Sequence, residues 1–508
     1  MATVDVEAGL TLRYSDSAGC RRWLERLPLG QTAEAQRELA GQLAALQRTD
    51  HIGSLERLRI LETLRAPLRY VQEEAARVYA SKPLPLADAE SETWARTVAV
   101  WQDLRANYLS CLDACRSGDL LITPYVGLVT LRCIGVNAAL LEEHYRVYRQ
   151  PGPALWRALN ALYQEAEQRG YARLRIHDVF GQQDADTSCQ DAYVQALLLA
   201  AAHPYALSVR EQDVLRDWLI AWSPLLAPNK QAAPAGKSPT LAVDLASSAG
   251  ARTPASAEPA TVRHLDLEPL AGAVRQALDG LKQGRAPTQL GLGSRLRPAE
   301  AEKLLGTLHT QWFRSGTARG EDRLDTEERS TVCFGLDAAH FQASRGLSAD
   351  PAAHERDCAV ETWFIRNYSS TGFMCMTRHP DSHARIAHHQ LLAVRRESGR
   401  QFHLGMVQWV KIDEAGELQC GVKIFPGAPQ AITVRPSNFG MKDSGEPVRA
   451  LILPEVPAPS TPATIVLPAG WFQSGRFIEI HAERRQVAKL LHLLDKGSDF
   501  ERGTMTIV

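Results

Sequence analysis

The sequence predicts a multidomain α + β protein: an N-terminal all-helical array, an antiparallel β-barrel and a further small β-rich segment at the C-terminal end. Three observations carry this prediction. Up to about residue 225, apolar side chains recur in steps of three and four, as at Leu55, Leu58, Leu61, Leu64 and Leu68, which draws one apolar stripe along a helix. Residues 227–262 are rich in Pro, Ala, Ser and Gly, a composition that buries too little surface to order itself and reads as a linker. After Arg329 the pattern changes to short apolar or alternating runs separated by Gly, Pro, Asp or Ser turns, which is the pattern of strands.

The helical region, 1–226, opens its clearest helix after Ser54, with the stripe of 55–80 stopped before Pro83 and Pro85. Helices follow at 94–115, 125–148, 154–169, 190–202 and 210–222, the third of these opened by Gly152-Pro153 and carrying Trp156. The longest apolar stretch, Leu120 to Leu141, is interrupted by Arg132, Asn137 and two glycines, so it reads as a buried helix and not as a membrane span. The array shows no clean repeat of 34 residues. Inside the linker, Thr240 to Leu245 is a candidate short strand docked on a neighbour. A helical connector, 263–313, carries helices at 264–283 and 298–313, the second opened by Pro298 and striped by Leu304, Leu305, Leu308 and Trp312.

Strands are expected at 330–336, 358–366, 372–377, 390–396, 402–412, 418–425 and 432–435, and strands this closely spaced suggest a barrel or sandwich over 314–440. Residues 337–357 read as an insertion. A second set falls at 448–453, 464–467, 476–481 and 504–508, with a run near 486–494 that suits helix or strand, so 441–508 is either an extension or a second barrel.

Lys and Arg number 57 against 58 Asp and Glu, a formal charge of −1, which supplies no global field for nucleic acid or an acidic membrane. The hydrophobic share of 45% is that of a chain that folds. Met1 to Arg13 lacks a basic stretch followed by an apolar one, so a cytoplasmic location is expected. Nine cysteines, none in a C-x-x-C pair, read as reduced and mostly buried thiols.

Motif-level chemistry is sparse. Gly236-Lys237-Ser238 lacks the first glycine of a phosphate-binding loop, and Gly291-Leu-Gly293 has no strand before it. His379, His383, His388 and His389 fall in a turn marked by Pro380 and Asp381, with no Cys or carboxylate set beside them. Cys111 and Cys115, one helical turn apart, read as core. G-x-S-x-G, H-E-x-x-H and kinase-type glycine loops are absent, so no catalytic residues, metal or cofactor are indicated.

One constellation stands apart. Asn367-Tyr-Ser369-Ser-Thr-Gly372 reads N-x-S-x-x-G between two apolar strands, and Arg319-Gly-Glu-Asp-Arg323 reads R-x-x-x-R upstream of the same strand set, with Arg329 abutting the first strand. Together with the six or so strands, including Gly405-Met-Val-Gln-Trp409 and Cys420-Gly-Val-Lys423, these resemble the PilZ domain family of bacterial cyclic di-GMP receptors over about residues 315–436.

The resemblance implies a six-stranded barrel with cyclic di-GMP at its mouth, Arg319 and Arg323 stacking on guanine and pairing phosphate, and Asn367, Ser369 and Gly372 holding the second face. The arginine register stays open between the pairs 319/323 and 323/329. The residue types suit such a ligand in their own right: guanidinium groups fork onto phosphate oxygens and stack on purines, and a tight polar turn with glycine offers hydroxyl, amide and backbone N–H groups at close range.

The expected function is thus a receptor that binds cyclic di-GMP at the barrel and signals through its helical domain to an unidentified protein partner, without nucleic acid or membrane insertion. The alternative is a protein-interaction scaffold whose barrel has lost the ligand. An enzyme acting through the helical half is a third reading, for which the sequence offers no motif.

Overall fold

The computed structural model describes residues 11–176, 186–232, 239–313, 324–344, 360–369, 373–379, 381–437, 446–456, 462–482 and 485–508. The chain divides into two compact units, one of Met1–Ala80 with Leu86–Ala318 and one of Ser81–Pro85 with Arg319–Val508.

In the first unit, helices α1 (Ser17–Leu24), α2 (Thr32–Gln47), α3 (Ser54–Ala76), α4 (Asp88–Arg116), α5 (Val126–Arg146), α6 (Pro153–Gln168), α7 (Cys189–Ala201) and α8 (Val209–Trp222) follow one another. Their ends are set by local chemistry. Asp16 accepts the N–H of Gly19 at 2.6 Å ahead of α1, and at the start of α8 the Ser208 side chain accepts the N–H of Glu211 while the Glu211 carboxylate accepts the N–H of Ser208. Ser54 is not a cap as expected: it is the first residue of α3, Gly53 holds the cap position, and the Ser54 hydroxyl donates to Asp119.

The stripe of Leu58, Leu61, Leu64 and Leu68 is buried against Leu39, Leu43, Leu104 and Leu112. The apolar stretch 120–141 becomes α5, which packs on α4, α6 and α7. Its Arg132 is tolerated in the interior because it forks onto the carboxylate of Glu62 at 2.8 and 3.0 Å, which also accepts the Tyr108 hydroxyl at 2.8 Å.

The stretch 227–262 is not a free linker over its described residues. Strand β1 (Thr240–Asp244) pairs antiparallel with β2 (Val262–Asp266), with Leu241, Val243 and Leu265 in the helical core. Between them the loop is held by the Asn160 amide, which donates to the carbonyls of Ser247 and Ala249 at 3.1 Å, and Gly250 lies against Trp156 where no Cβ would fit. Composition predicted a linker; a few apolar side chains and one hydrogen-bonding Asn order it.

Helices α9 (Glu268–Lys282) and α10 (Pro298–Phe313) continue the same core, with Trp312 donating its indole N–H to the Leu198 carbonyl at 3.1 Å. The three segments expected as domain, linker and connector are therefore one body.

In the second unit, β3 (Leu324–Phe334) is followed by α11 (Leu336–Ser344), then β4 (Glu361–Tyr368), β5 (Phe373–Arg378), β6 (Leu391–Arg396), β7 (His403–Ile412) and β8 (Leu418–Ile424). The six strands close in the order β3-β4-β5-β8-β7-β6, every pair antiparallel. Closure brings Trp409 of β7 so near Gly421 of β8 that a Cβ at 421 would fall inside the indole, which is why that strand position needs glycine.

Strands β9 (Gln430–Pro436), β10 (Val448–Leu453), β11 (Thr464–Pro468), β12 (Phe477–His481), β13 (Arg485–Lys496) and β14 (Phe500–Ile507) close a second barrel in the order β10-β11-β14-β13-β12-β9. The tail is thus a second barrel, and its run near 486–494 is strand. The boundary expected at 440 moves back, because β9 pairs with β10 and β12 and not with the first barrel. Helix α11, in the stretch read as an insertion, packs on β3, β6, β9 and β10. Leu391, Leu404 and Phe425 of the first barrel share one core with Leu451, Val466 and Phe500 of the second, so the two barrels form one body.

Candidate functional site

Of the residues singled out in the sequence, Asn367 and Ser369 lie at the end of the first barrel where β3 begins and β4 ends. Leu324, the residue after Arg323, pairs with Tyr368, the residue between Asn367 and Ser369; Asp325 pairs with Asn367. Asn367 also faces Cys375 of β5, and Ser369 is buried directly beyond the strand. Arg319, Arg323 and Gly372 lie outside the described residues.

Arg329 does not abut the strand as expected but lies within it, since β3 starts at Leu324. It pairs with Phe364, three positions along β4 from Asn367 and so roughly 10 Å away, and its exposed side chain has no partner among the described residues. The structure therefore joins Asn367 and Ser369 and sets Arg329 apart from them.

Residues that sequence reasoning missed surround this end. Arg396 of β6 donates from Nε to Glu328 at 2.9 Å and lies over the Tyr368 ring, 4.4 Å from its centroid. Glu328 accepts as well from the Ser398 N–H at 3.1 Å and hydroxyl at 2.7 Å. Burial would push the Glu328 carboxyl up, but the hydrogen bonds from Arg396 and Ser398 outweigh it and hold the group down at about 2, while the bond to Glu328 raises the Arg396 guanidinium. Across β3, Arg366 donates to Glu327 at 2.6 Å and to Thr377 at 3.1 Å. Arg366 was readable as a neighbour of the N-x-S-x-x-G turn; Arg396 and Tyr368 had no sequence signal, because their meeting depends on barrel order.

The first unit holds a cavity of about 560 Å³ with Gly135, Ala138 and Ala139 of α5 among its lining, Arg65 and Arg69 of α3 and Arg216 of α8 around it, and Trp101 of α4 beside it. Cys111 and Cys115 are core residues, the former with its thiol pushed up to about 12 by burial, so they do not form a reactive pair. Among the described residues no group of three or more His, Cys, Asp or Glu is placed to hold a metal ion.

A helical unit followed by two fused six-stranded antiparallel barrels, the first with a polar, arginine-bearing end, defines the class of the molecule. Comparison with known families gives two matches: residues 18–232 match a model described as the N-terminal domain of the cyclic-di-GMP receptor FimW, and residues 432–504 match one described as the FimW C-terminal β-barrel domain. The second match begins within β9, as the second barrel does. The chain is also 23% identical over 539 residues to the cyclic-di-GMP receptor FimW of Pseudomonas aeruginosa, an alignment covering 91% of this chain and 86% of that protein.

Proposed function

We propose that the chain is a cyclic di-GMP receptor that binds the dinucleotide at the end of its first barrel, a barrel of PilZ type, and relays occupancy through its helical unit to a protein partner. The observation that carries this reading is the pairing of Leu324, which follows the R-x-x-x-R run in sequence, with Tyr368, the residue between Asn367 and Ser369. The full-length likeness to a protein named as a cyclic di-GMP receptor supports it.

With Arg329 inside β3, the arginines of this reading are Arg319 and Arg323, immediately before the strand. Guanidinium planes there can stack on a purine and fork onto phosphate, while Asn367 and Ser369 offer amide and hydroxyl groups to the other face. The protein acts by binding and not by catalysis. The eight described cysteines, all free thiols, suit a reducing cytoplasm.

Isothermal titration of the full chain tests the function. Saturable binding of cyclic di-GMP, with no comparable binding of cyclic di-AMP or GTP, is expected; no heat from cyclic di-GMP, or equal binding of GTP, would contradict it and favour a scaffold with a non-binding barrel.

A further inference from the structure

We propose that Arg366 is a further phosphate-binding arginine of this site and that Glu327 is the carboxylate it exchanges for a phosphodiester of the ligand. The inference rests on the reading of the barrel end as a cyclic dinucleotide site. Three observations on the described residues support it.

First, the backbone is irregular at Arg366 on both of its edges. On the β3 side the register passes from Asp325 opposite Asn367 to Glu328 opposite Ile365, so Thr326 and Glu327 together face Arg366. On the β5 side Ile365 faces Met376 and Asn367 faces Cys375, which leaves Arg366 as the extra residue. Bulges re-aim a side chain, and this one adjoins Asn367.

Second, the guanidinium is fixed but not saturated. Nε donates to Thr377 at 3.1 Å, the group lies 5.6 Å from the centroid of the Phe364 ring, Nη1 donates to Glu327 at 2.6 Å, and Nη2 has no partner among the described residues. A phosphodiester can take both Nη groups in one fork.

Third, the two adjacent glutamates differ. Glu328 is held by Arg396 and by both donors of Ser398, and its side chain is 13% exposed. Glu327 has Arg366 as its one partner among the described residues, and its side chain is 71% exposed. An exposed ion pair with one anchor is weakly held and open to exchange; bound, the displaced carboxylate would stand beside the phosphate and oppose it.

The test measures cyclic di-GMP affinity of the full chain for the wild type, Glu327→Gln, Arg366→Ala and the double variant. Glu327→Gln is expected to bind at least threefold tighter, a gain that misfolding cannot produce. Arg366→Ala should bind at least tenfold more weakly, and the double variant no better than Arg366→Ala. Unchanged or weaker binding by Glu327→Gln, or a gain that persists without Arg366, would overturn the exchange while leaving the receptor function intact. A wild type that does not bind overturns the function and this inference with it.

Discussion

In the turn between β13 and β14, Asp499 accepts the backbone N–H of Leu391, the first residue of β6, at 2.9 Å, so a carboxyl of the second barrel caps the entry of a strand in the first. Burial pushes this carboxyl from 3.8 up to about 6, against the opposing pull of the Leu391 N–H.

The sign of the pH dependence follows. Between about pH 4 and 6 the folded protein binds a proton at Asp499 that the unfolded chain has released, so this group makes stability fall as pH rises through that window and leaves it lower above it. Asp499→Asn keeps the acceptor and cannot ionise. Thermal unfolding should find it more stable than wild type by on the order of 2 kcal/mol at pH 7.5 and equal to it near pH 4. A variant less stable at pH 7.5 would refute the account.

The Arg132–Glu62 fork is 6% and 8% exposed, and removal of one partner leaves an unpaired charge in the helical core. Arg132→Ala should destabilise the protein by about 3–5 kcal/mol, and the double change Arg132→Met with Glu62→Met should recover at least about 2 kcal/mol of that, since the apolar pair strands no charge. Denaturant unfolding of both variants measures the difference; equal destabilisation would show that packing, not charge, sets the cost.

Arg323 and Arg329 should separate in ligand affinity. Arg323→Ala removes a charge-assisted phosphate contact and should lose about 1.5–3 kcal/mol, roughly tenfold or more. Ser369→Ala should lose about 1 kcal/mol. Arg329→Ala, at a position opposite Phe364 within β3, should bind within about threefold of wild type. Loss at Arg329 with Arg323 silent would place the ligand along the strand and not at its end.

Much of the fold was legible because burial writes a period into the sequence. Val448–Leu453 is found at the residues expected, as are the buried stripe of α3 and the Pro298 start of α10. The first half of β3, Leu-Asp-Thr-Glu-Glu-Arg, was read as loop because it carries almost no apolar side chains: the backbone ladder to β4 holds it and burial does not.

Strand β9 alternates like its neighbours, and nothing local to Gln430–Pro436 says that Val434 will face Val448 and Ile480. The same limit hid the site's aromatic and arginine shell. Glu328 and Arg396 are 68 positions apart, and they meet only because barrel closure lays β3 between β4 and β6. Asn367 and Ser369 were visible because they are two positions apart in one sequence motif at the end of β4.

Hydrogen exchange of the full chain with and without cyclic di-GMP tests most directly whether the ligand lies where β3 begins and β4 ends and whether it also protects the residues that precede β3. Slowed exchange is predicted over 314–329 and 361–369, with little change in β10–β14 away from the shared core. Protection confined to the helical unit or to the second barrel would contradict the placement, and protection at 367–372 alone would contradict the relay.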